Sequence, residues 1–271
     1  MGYYVNIEPD VNLFVEDLNK CGRETIVFLH GWPGDHNLFE YQFNFFSKIG
    51  YRCIGIDQRG FGRSDRPVSG YDYDTLSDDL STVIYKLKLN NFTLLGHSTG
   101  GAIAIRYMAR HKGAGVSKLI LCAAAAPSLI ERSYFPYGIK KDVVLNIIDE
   151  TYRNRPEMLS NFEKIFFYKP VTKAFSEWFL SLGLKASGWS TASVAKTWIE
   201  DEELFRDMDK VQVPTLILHG VHDKVCLFPL AVQQKKMIKN SVLVKLKNSG
   251  HGLFYDEREK FNNEVRCFIE E

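Results

Sequence analysis

Little in this chain of 271 residues stands out by composition, and what is missing narrows what it can be. Its cysteines are few and unpatterned. Cys21, Cys53, Cys122, Cys226 and Cys267 are odd in number, widely spaced, and never form C-x-x-C. That speaks against a disulfide framework or a cysteine zinc site and fits free thiols in a reducing compartment. Charge of one sign is missing as well. The 34 Lys+Arg and 33 Asp+Glu leave a formal net charge of +1, with no long basic block. Nucleic acid and an anionic membrane surface are therefore not expected as partners. The longest apolar run, LILCAAAA at 119–126, is far too short to span a bilayer. The N-terminal MGYYVNIEPDVN carries acids and lacks the apolar core of a signal peptide; Asn6 stands where an N-myristoylation pattern needs Ser or Thr. A cytoplasmic location is expected. Neither G-x-x-x-x-G-K-[ST] nor G-x-G-x-x-G occurs, so nucleotide binding has no support. No cofactor and no metal is expected.

What is present is a rhythm. After two short strand-like stretches, YYVNIE and NLFVEDL, apolar runs recur: TIVFLHG (25–31), RCIGID (52–57), FTLLG (92–96), KLILCA (118–123), TLILHG (215–220) and VLVKL (242–246). Unbroken apolar runs of this length suit strands buried on both faces. Between them lie stretches with helical spacing. In DTLSDDLSTVIYKL (74–87), acids lead, and Leu76, Leu80, Val83, Ile84 and Leu87 share a face; TGGAIAIRYMARH (99–111) is another. The alternation predicts an α/β fold with a doubly wound, mostly parallel sheet, whose ligands bind at the carboxyl ends of the strands. Pro127 to Pro214 breaks the rhythm, being far longer than a crossover helix needs. Its pattern is helical, as in TASVAKTWIEDEELFRDM, and it holds Trp178, Trp189, Trp198, Phe166, Phe167, Phe175 and Phe179. The expected organisation is a core of residues 1–126 and 206–271 with a helical cap, 127–205, inserted over the strand ends. Aromatics at such spacings serve first as the cap's own core.

FTLLGHSTGG (92–101) places Ser98 between glycines, where a strand gives way to a helix. G-x-S-x-G in that context is a nucleophile elbow, a turn so sharp that the backbone must approach itself at Gly96 and Gly100. A serine hydroxyl needs a base, and the base an orienting acid. With this elbow the partners follow in the order acid, then histidine. LILHGVHDKV supplies Asp223 and LKNSGHGLFYD supplies His251, each just past a strand end. Ser98, Asp223 and His251 are the candidate catalytic triad. FLHGWPGD (28–35) follows another strand, and the backbone N–H of Trp32 is expected to form an oxyanion hole with that of Thr99.

HGWPG, DQRGFGRSD, GHSTGG, HGVHD and SGHG together resemble the α/β-hydrolase superfamily over nearly the whole chain. Within it, HGWPG and GHSTGG followed by A-x-x-R-Y-x-A-R-H resemble the small carboxylesterases also described as cofactor-free haloperoxidases or perhydrolases. Those proteins often carry a third glycine where this chain has Ala102. The resemblance implies hydrolysis of a small-molecule ester, with peracid formation as a side reaction, and leaves a homo-oligomer open. Related dehalogenases and epoxide hydrolases use aspartate in place of Ser98, which argues against an alkyl-enzyme route here. Lactone opening, C–C bond hydrolysis and acyl transfer can run on the same three residues, as can a lyase reaction. A non-catalytic binding protein on this fold is the alternative of another class.

The remaining polar residues read as structural. Asp57, at a strand end, is expected to buttress its loop with Arg59 and Asp65 as ion-pair partners. His97 is expected to point away from the site, and His30 to hold the oxyanion loop. His219, His222 and Asp223 lie close in sequence, but a metal there would have to take the triad acid. Cys226 reads as loop packing.

Overall fold

The apolar runs become the strands of one sheet in a computed structural model that describes residues 1–271. β1 (Gly2–Glu8) and β2 (Val11–Leu18) form a hairpin. β3 (Thr25–Leu29), β4 (Arg52–Ile56), β5 (Phe92–His97), β6 (Val116–Cys122), β7 (Thr215–Gly220) and β8 (Ser241–Leu246) follow. The spatial order is β1-β2-β4-β3-β5-β6-β7-β8. Only the β1–β2 and β2–β4 pairs are antiparallel. Every residue of β5 and β7 is buried. Helices cover both faces of these central strands, so their sequences need no polar alternation. β8 lies at the sheet edge and exposes Val242 and Lys245.

The helices are α1 (Glu40–Lys48), α2 (Tyr73–Lys86), α3 (Thr99–Arg110), α4 (Lys141–Phe166), α5 (Lys173–Leu184), α6 (Gly188–Glu200), α7 (Leu204–Asp207), α8 (Pro229–Met237), α9 (Leu253–Asp256) and α10 (Arg258–Glu270). α2 starts where a side chain can satisfy its first free donors: Asp72 accepts from the Thr75 N–H at 2.8 Å. It buries Leu76, Leu80, Val83 and Ile84. No helix is long and apolar enough to cross a membrane.

Between β6 and β7 the chain leaves the sheet and forms α4 to α7. α4 is interrupted at Asn154 (φ −153°, ψ 69°), ahead of Pro156. Proline lacks the N–H and disfavours helical backbone before it. Asn154 and Glu157 then cap the restart: Asn154 Nδ2 donates to Glu157 Oε2 at 2.7 Å, and the Glu157 N–H to Asn154 Oδ1 at 3.4 Å. The helical pattern of 191–208 is likewise split in two, at Asp201. Its Oδ1 accepts from the Leu204 N–H at 3.2 Å and its Oδ2 from Arg106 Nη2 at 2.7 Å. Arg106, buried on α3, also pairs with Asp74 of α2 at 3.3 Å and Asp207 of α7 at 2.9 Å. Burial pushes the carboxyls of Asp201 and Asp207 up, and the Arg106 charge opposes it. The apolar core is continuous from the sheet into this segment: Phe162, Phe166, Phe179 and Trp198 belong to the same cluster as the strand residues.

Replacing Arg106 with methionine leaves Asp201 and Asp207 without their common cation. Urea unfolding at neutral pH is expected to show a loss of about 3–5 kcal/mol, the cost of breaking a buried pair from one side. A loss below about 1 kcal/mol, the worth of an exposed ion pair, would show that solvent balances these acids instead.

Candidate active site

β3 lies between β4 and β5, so the loops leaving β3 and β5 open beside each other at the carboxyl edge. Such a switch in winding direction creates a crevice without any dedicated element. Ser98 stands there, between β5 and α3, at φ 53° and ψ −120°. For a residue with a Cβ this left-handed backbone costs on the order of 1–3 kcal/mol and persists only where the surroundings over-determine it. They do so here. The Ser98 N–H donates to Cys122 O at 2.9 Å, and Ser98 O accepts from Gly101, Ala102 and Ala125 at 2.9, 3.2 and 3.0 Å. A Cβ on Gly96 would run into the Gly100 carbonyl, and one on Gly100 into the carbonyls of Leu29 and His30. Ala102, two positions beyond Gly100, is accommodated fully buried.

Asp223 follows β7 and His251 follows β8. His251 Nδ1–H donates to Asp223 Oδ2 at 2.8 Å, which leaves the Nε2 lone pair free; Nε2 is buried with no partner. Asp223 Oδ1 accepts from the N–H groups of Val225 and Cys226 at 2.8 and 2.9 Å. Burial alone would raise the Asp223 carboxyl. The His251 charge and the hydrogen bonds of His219 and His251 outweigh it and hold the group far below the usual carboxylate range. The His251 loop is fastened from the far side: Gly252 N–H donates to Phe166 O at 2.9 Å, and Asp256 Oδ2 accepts from Gly250 and Tyr168 N–H groups at 2.8 and 2.9 Å. Ser98 Oγ itself lies 3.9 Å from Cys226 Sγ. Ser98, His251 and Asp223 thus share one edge, with the Ser98 hydroxyl turned toward the Cys226 thiol. Cys226 is more than loop packing. The turn closed on Asp223 Oδ1 carries it back to the serine, a signal present in the short D-x-x-C spacing. Burial, reinforced by the Asp223 charge, pushes its thiol well up.

The Trp32 N–H has no acceptor in the protein. The Thr99 N–H is the first of α3, where a helix leaves its donors unsatisfied and positive. His30 holds the Trp32 loop: its Nδ1–H donates to Gly31 O at 3.0 Å, its Nε2 accepts from the Gln58 N–H at 3.0 Å, and Gln58 Nε2 donates to His30 O at 2.6 Å. Burial pushes His30 down, which suits a neutral ring in that role. His97 points beneath the site and donates from Nε2 to His251 O at 3.1 Å. Burial and the neighbouring His251 push it well down.

The partners expected for Asp57 are wrong. Its Oδ1 accepts from the His36 N–H and Nδ1 at 2.8 and 2.7 Å, and its Oδ2 from the Arg63 N–H at 2.9 Å. Arg59 pairs instead with Asp79 at 2.6 Å and Glu8 at 3.0 Å, and Asp65 takes the Asn12 N–H at 2.8 Å. The reason is the loop's path. Gly62, at φ 54°, folds the backbone directly onto the Asp57 carboxylate, while the Arg59 side chain runs to Asp79 on α2. Asp35, His36 and Asp57 are the one acid–histidine group close enough to share an ion. Their donor atoms are already engaged, Asp35 by Lys185 Nζ at 2.9 Å and by the Asn37 N–H at 2.8 Å. His219, His222 and Asp223 do not form a three-ligand group: His219 Nε2–H donates to Cys226 O at 2.6 Å and lies 3.3 Å from Asp223 Oδ2, but His222 stacks on Tyr168 at 4.1 Å.

The aromatics of the long segment divide by position. Phe166 meets the His251 ring edge-on at 4.9 Å. Trp32 meets Phe162 and Trp198, both at 5.1 Å. A small apolar cleft beside Trp32 is lined by Leu159, Phe162, Phe166, Phe179 and Leu182, with no charged side chain; Ser98 and His251 are not among its lining residues. Phe167 and Phe175 pack on Tyr255, Trp178 packs on Phe175, and Trp189 is 43% exposed with its indole N–H on Pro67 O. Phe162 was not among the aromatics the sequence singled out.

The sequence profile of the alpha/beta hydrolase fold matches residues 24–258. The chain is 49% identical over 268 residues to the AB hydrolase superfamily protein YisY of Bacillus subtilis, covering 99% of each. It is 28% identical to the bifunctional esterase/perhydrolase DCH of Acinetobacter calcoaceticus, over 98% of this chain and 99% of that one. The solved structure of an esterase (EaEST) from Exiguobacterium antarcticum is 43% identical and superposes with a TM-score of 0.96, covering 100% of both chains.

The Asp223 environment has a consequence for acid stability. Its folded pKa lies below the unfolded value of about 3.9, so its charge contributes stability that is complete above that pH and is lost as pH falls through the folded value. Asp223→Asn is expected to be less stable than the parent in urea at neutral pH, with the gap closing below about pH 4. A gap that stays constant into acid would show that the network does not depend on this charge.

Proposed function

This chain belongs to the α/β-hydrolase family, and on that premise we propose that it hydrolyses small apolar carboxylic esters through an acyl-enzyme on Ser98. One observation carries the reading: the His251 ring is fixed by Nδ1–H on the buried Asp223 carboxylate, with an unpartnered Nε2 lone pair at the edge where Ser98 stands. In the proposed cycle Ser98 Oγ turns from Cys226 to His251 Nε2 and attacks the acyl carbonyl. Hydrogen bonds of this kind are often open without substrate and close with it. His251 takes the serine proton and returns it to the leaving alcohol, while Asp223 keeps the ring in that tautomer and balances its charge. The Trp32 and Thr99 N–H groups hold the oxyanion. Water, deprotonated by His251, then attacks the acyl-enzyme and frees Ser98 and the acid. With hydrogen peroxide in place of water the product is a peracid, a side reaction supported by likeness to an esterase/perhydrolase.

The apolar surroundings that Trp32 and Phe166 share with the cleft support the substrate class. An apolar, uncharged lining gives a buried carboxylate or ammonium no partner, and such burial is costly. An uncharged acyl or aryl group fits it. In this reading residues 127–205 act as a cap on the core of 1–126 and 206–271, with the end of α4 and with α6 closing the site from above. We also place the protein in the cytoplasm, which its five unpaired cysteines support.

The test is hydrolysis of p-nitrophenyl acetate, butyrate and octanoate by the wild type and Ser98→Ala. The variant is expected to lose a factor on the order of 10³ or more in kcat. Among the substrates, the small cleft is expected to favour the two shorter acyl groups. Equal, slow rates for both proteins would overturn the reading.

A further inference from the structure

Trp32 and Thr99, the two residues of the proposed oxyanion hole, come from different loops, after β3 and after β5, yet both are fastened to one helix. The Trp32 indole N–H donates to Thr191 O at 3.0 Å. Thr99 Oγ1 accepts from the Trp198 indole N–H at 3.1 Å. Thr191 and Trp198 lie seven positions apart on α6, a spacing that puts them on one face two turns from each other. The rings of Trp32 and Trp198 meet edge-to-face at 5.1 Å and 78°, which joins the two attachments into one cluster. All four residues are buried, Thr191 and Thr99 almost completely. α6 is in turn anchored to the loop between β4 and α2, through Ser190 Oγ to Gly60 O at 2.9 Å and Thr197 Oγ1 to Tyr71 O at 3.0 Å.

We propose that Trp198 is a positioning residue: its indole N–H holds the Thr99 side chain so that the Thr99 and Trp32 N–H groups keep the separation an oxyanion needs. The inference rests on the reading of Ser98 as nucleophile. Oxyanion donors act at 2.7–3.1 Å from where the charge develops, so a small shift of one donor relative to the other weakens both contacts in the transition state. On the core side, Thr99 is set by the elbow. On the other side, its only side-chain hydrogen bond is the one from α6. The inserted segment thus completes the hole without contributing a donor to it. Because the oxyanion exists only after attack, loosening this contact lowers kcat and leaves substrate binding in place.

The experiment measures kcat and KM on p-nitrophenyl butyrate for the wild type, Ser98→Ala, Trp198→Phe, Thr99→Val, Thr99→Ser and the Trp198→Phe/Thr99→Val double variant. Trp198→Phe keeps the ring and removes the donor. Thr99→Val keeps the shape and removes the acceptor, while Thr99→Ser retains it. Each of the first two is expected to lose roughly tenfold in kcat with KM within about twofold, and the double variant to be no slower than either, since one bond is lost in all three. Thr99→Ser, which keeps the acceptor, is expected to retain more of the kcat than Thr99→Val. An unchanged kcat in Trp198→Phe, a double variant slowed by the product of the singles, or a loss confined to KM would overturn the assignment. Where Trp198→Phe fails to fold, Thr99→Val against Thr99→Ser decides alone: equal kcat values overturn it. A wild type with no Ser98-dependent hydrolysis defeats the underlying reading instead, and so separates the two failures.

Discussion

The backbone of Ser98 is the constraint that the site depends on. A serine at φ 53° is held there by hydrogen bonds from both flanks and by glycines that let strand, turn and helix touch. A parallel strand followed at once by a helix gives this geometry its stiffness. β5 is buried along its length, and α3 is packed against the sheet and tied to α2 and α7 through Arg106. Strain at the turn is tolerated because neither neighbour can relax. The same tightness lifts the side chain out of the sheet and puts the first free N–H of α3 beside it.

Around that turn the polar groups are buried, and burial decides how they behave. Asp223 is buried, yet two histidine and two backbone contacts converge on it, and its ionised form wins against burial. His30 and His97 receive no comparable support, and burial pushes both toward the neutral ring. Among the few buried side-chain atoms without a partner, His97 Nδ1, His219 Nδ1 and His251 Nε2 fall in this one region. Unpaired buried acceptors are costly elsewhere in a fold and tend to mark working sites. Phe166 lies edge-on to the His251 ring, and such burial in apolar surroundings strengthens each charge interaction that remains.

The segment between β6 and β7 is more than a cover. Its aromatics join the core of the sheet, its Gly252 and Asp256 contacts steady the His251 loop, and α6 reaches the elbow. A segment built into the core in this way can vary its cleft-lining residues, such as Leu159 and Leu182, while α6 and the end of α4 stay fixed by hydrogen bonds.

Much of this was legible in the sequence because it is local. Strands buried on both faces read as continuous apolar runs, the tight turn at Ser98 as G-x-S-x-G, and the placing of Asp223 and His251 as polar residues just past strand ends. In a parallel sheet those positions lie on one edge whatever the loops do. The partners of Asp57, the three acids on Arg106, the nearness of Cys226 to Ser98, and the split between aromatics facing the cleft and aromatics facing Tyr255 were not legible. Each depends on where a loop folds back or on how one helix turns against another. A one-residue rotation of α6 would move Trp198 off Thr99 without altering any sequence pattern. Periodicity specifies which face of a helix is apolar, but long-range packing alone chooses the neighbour that face meets.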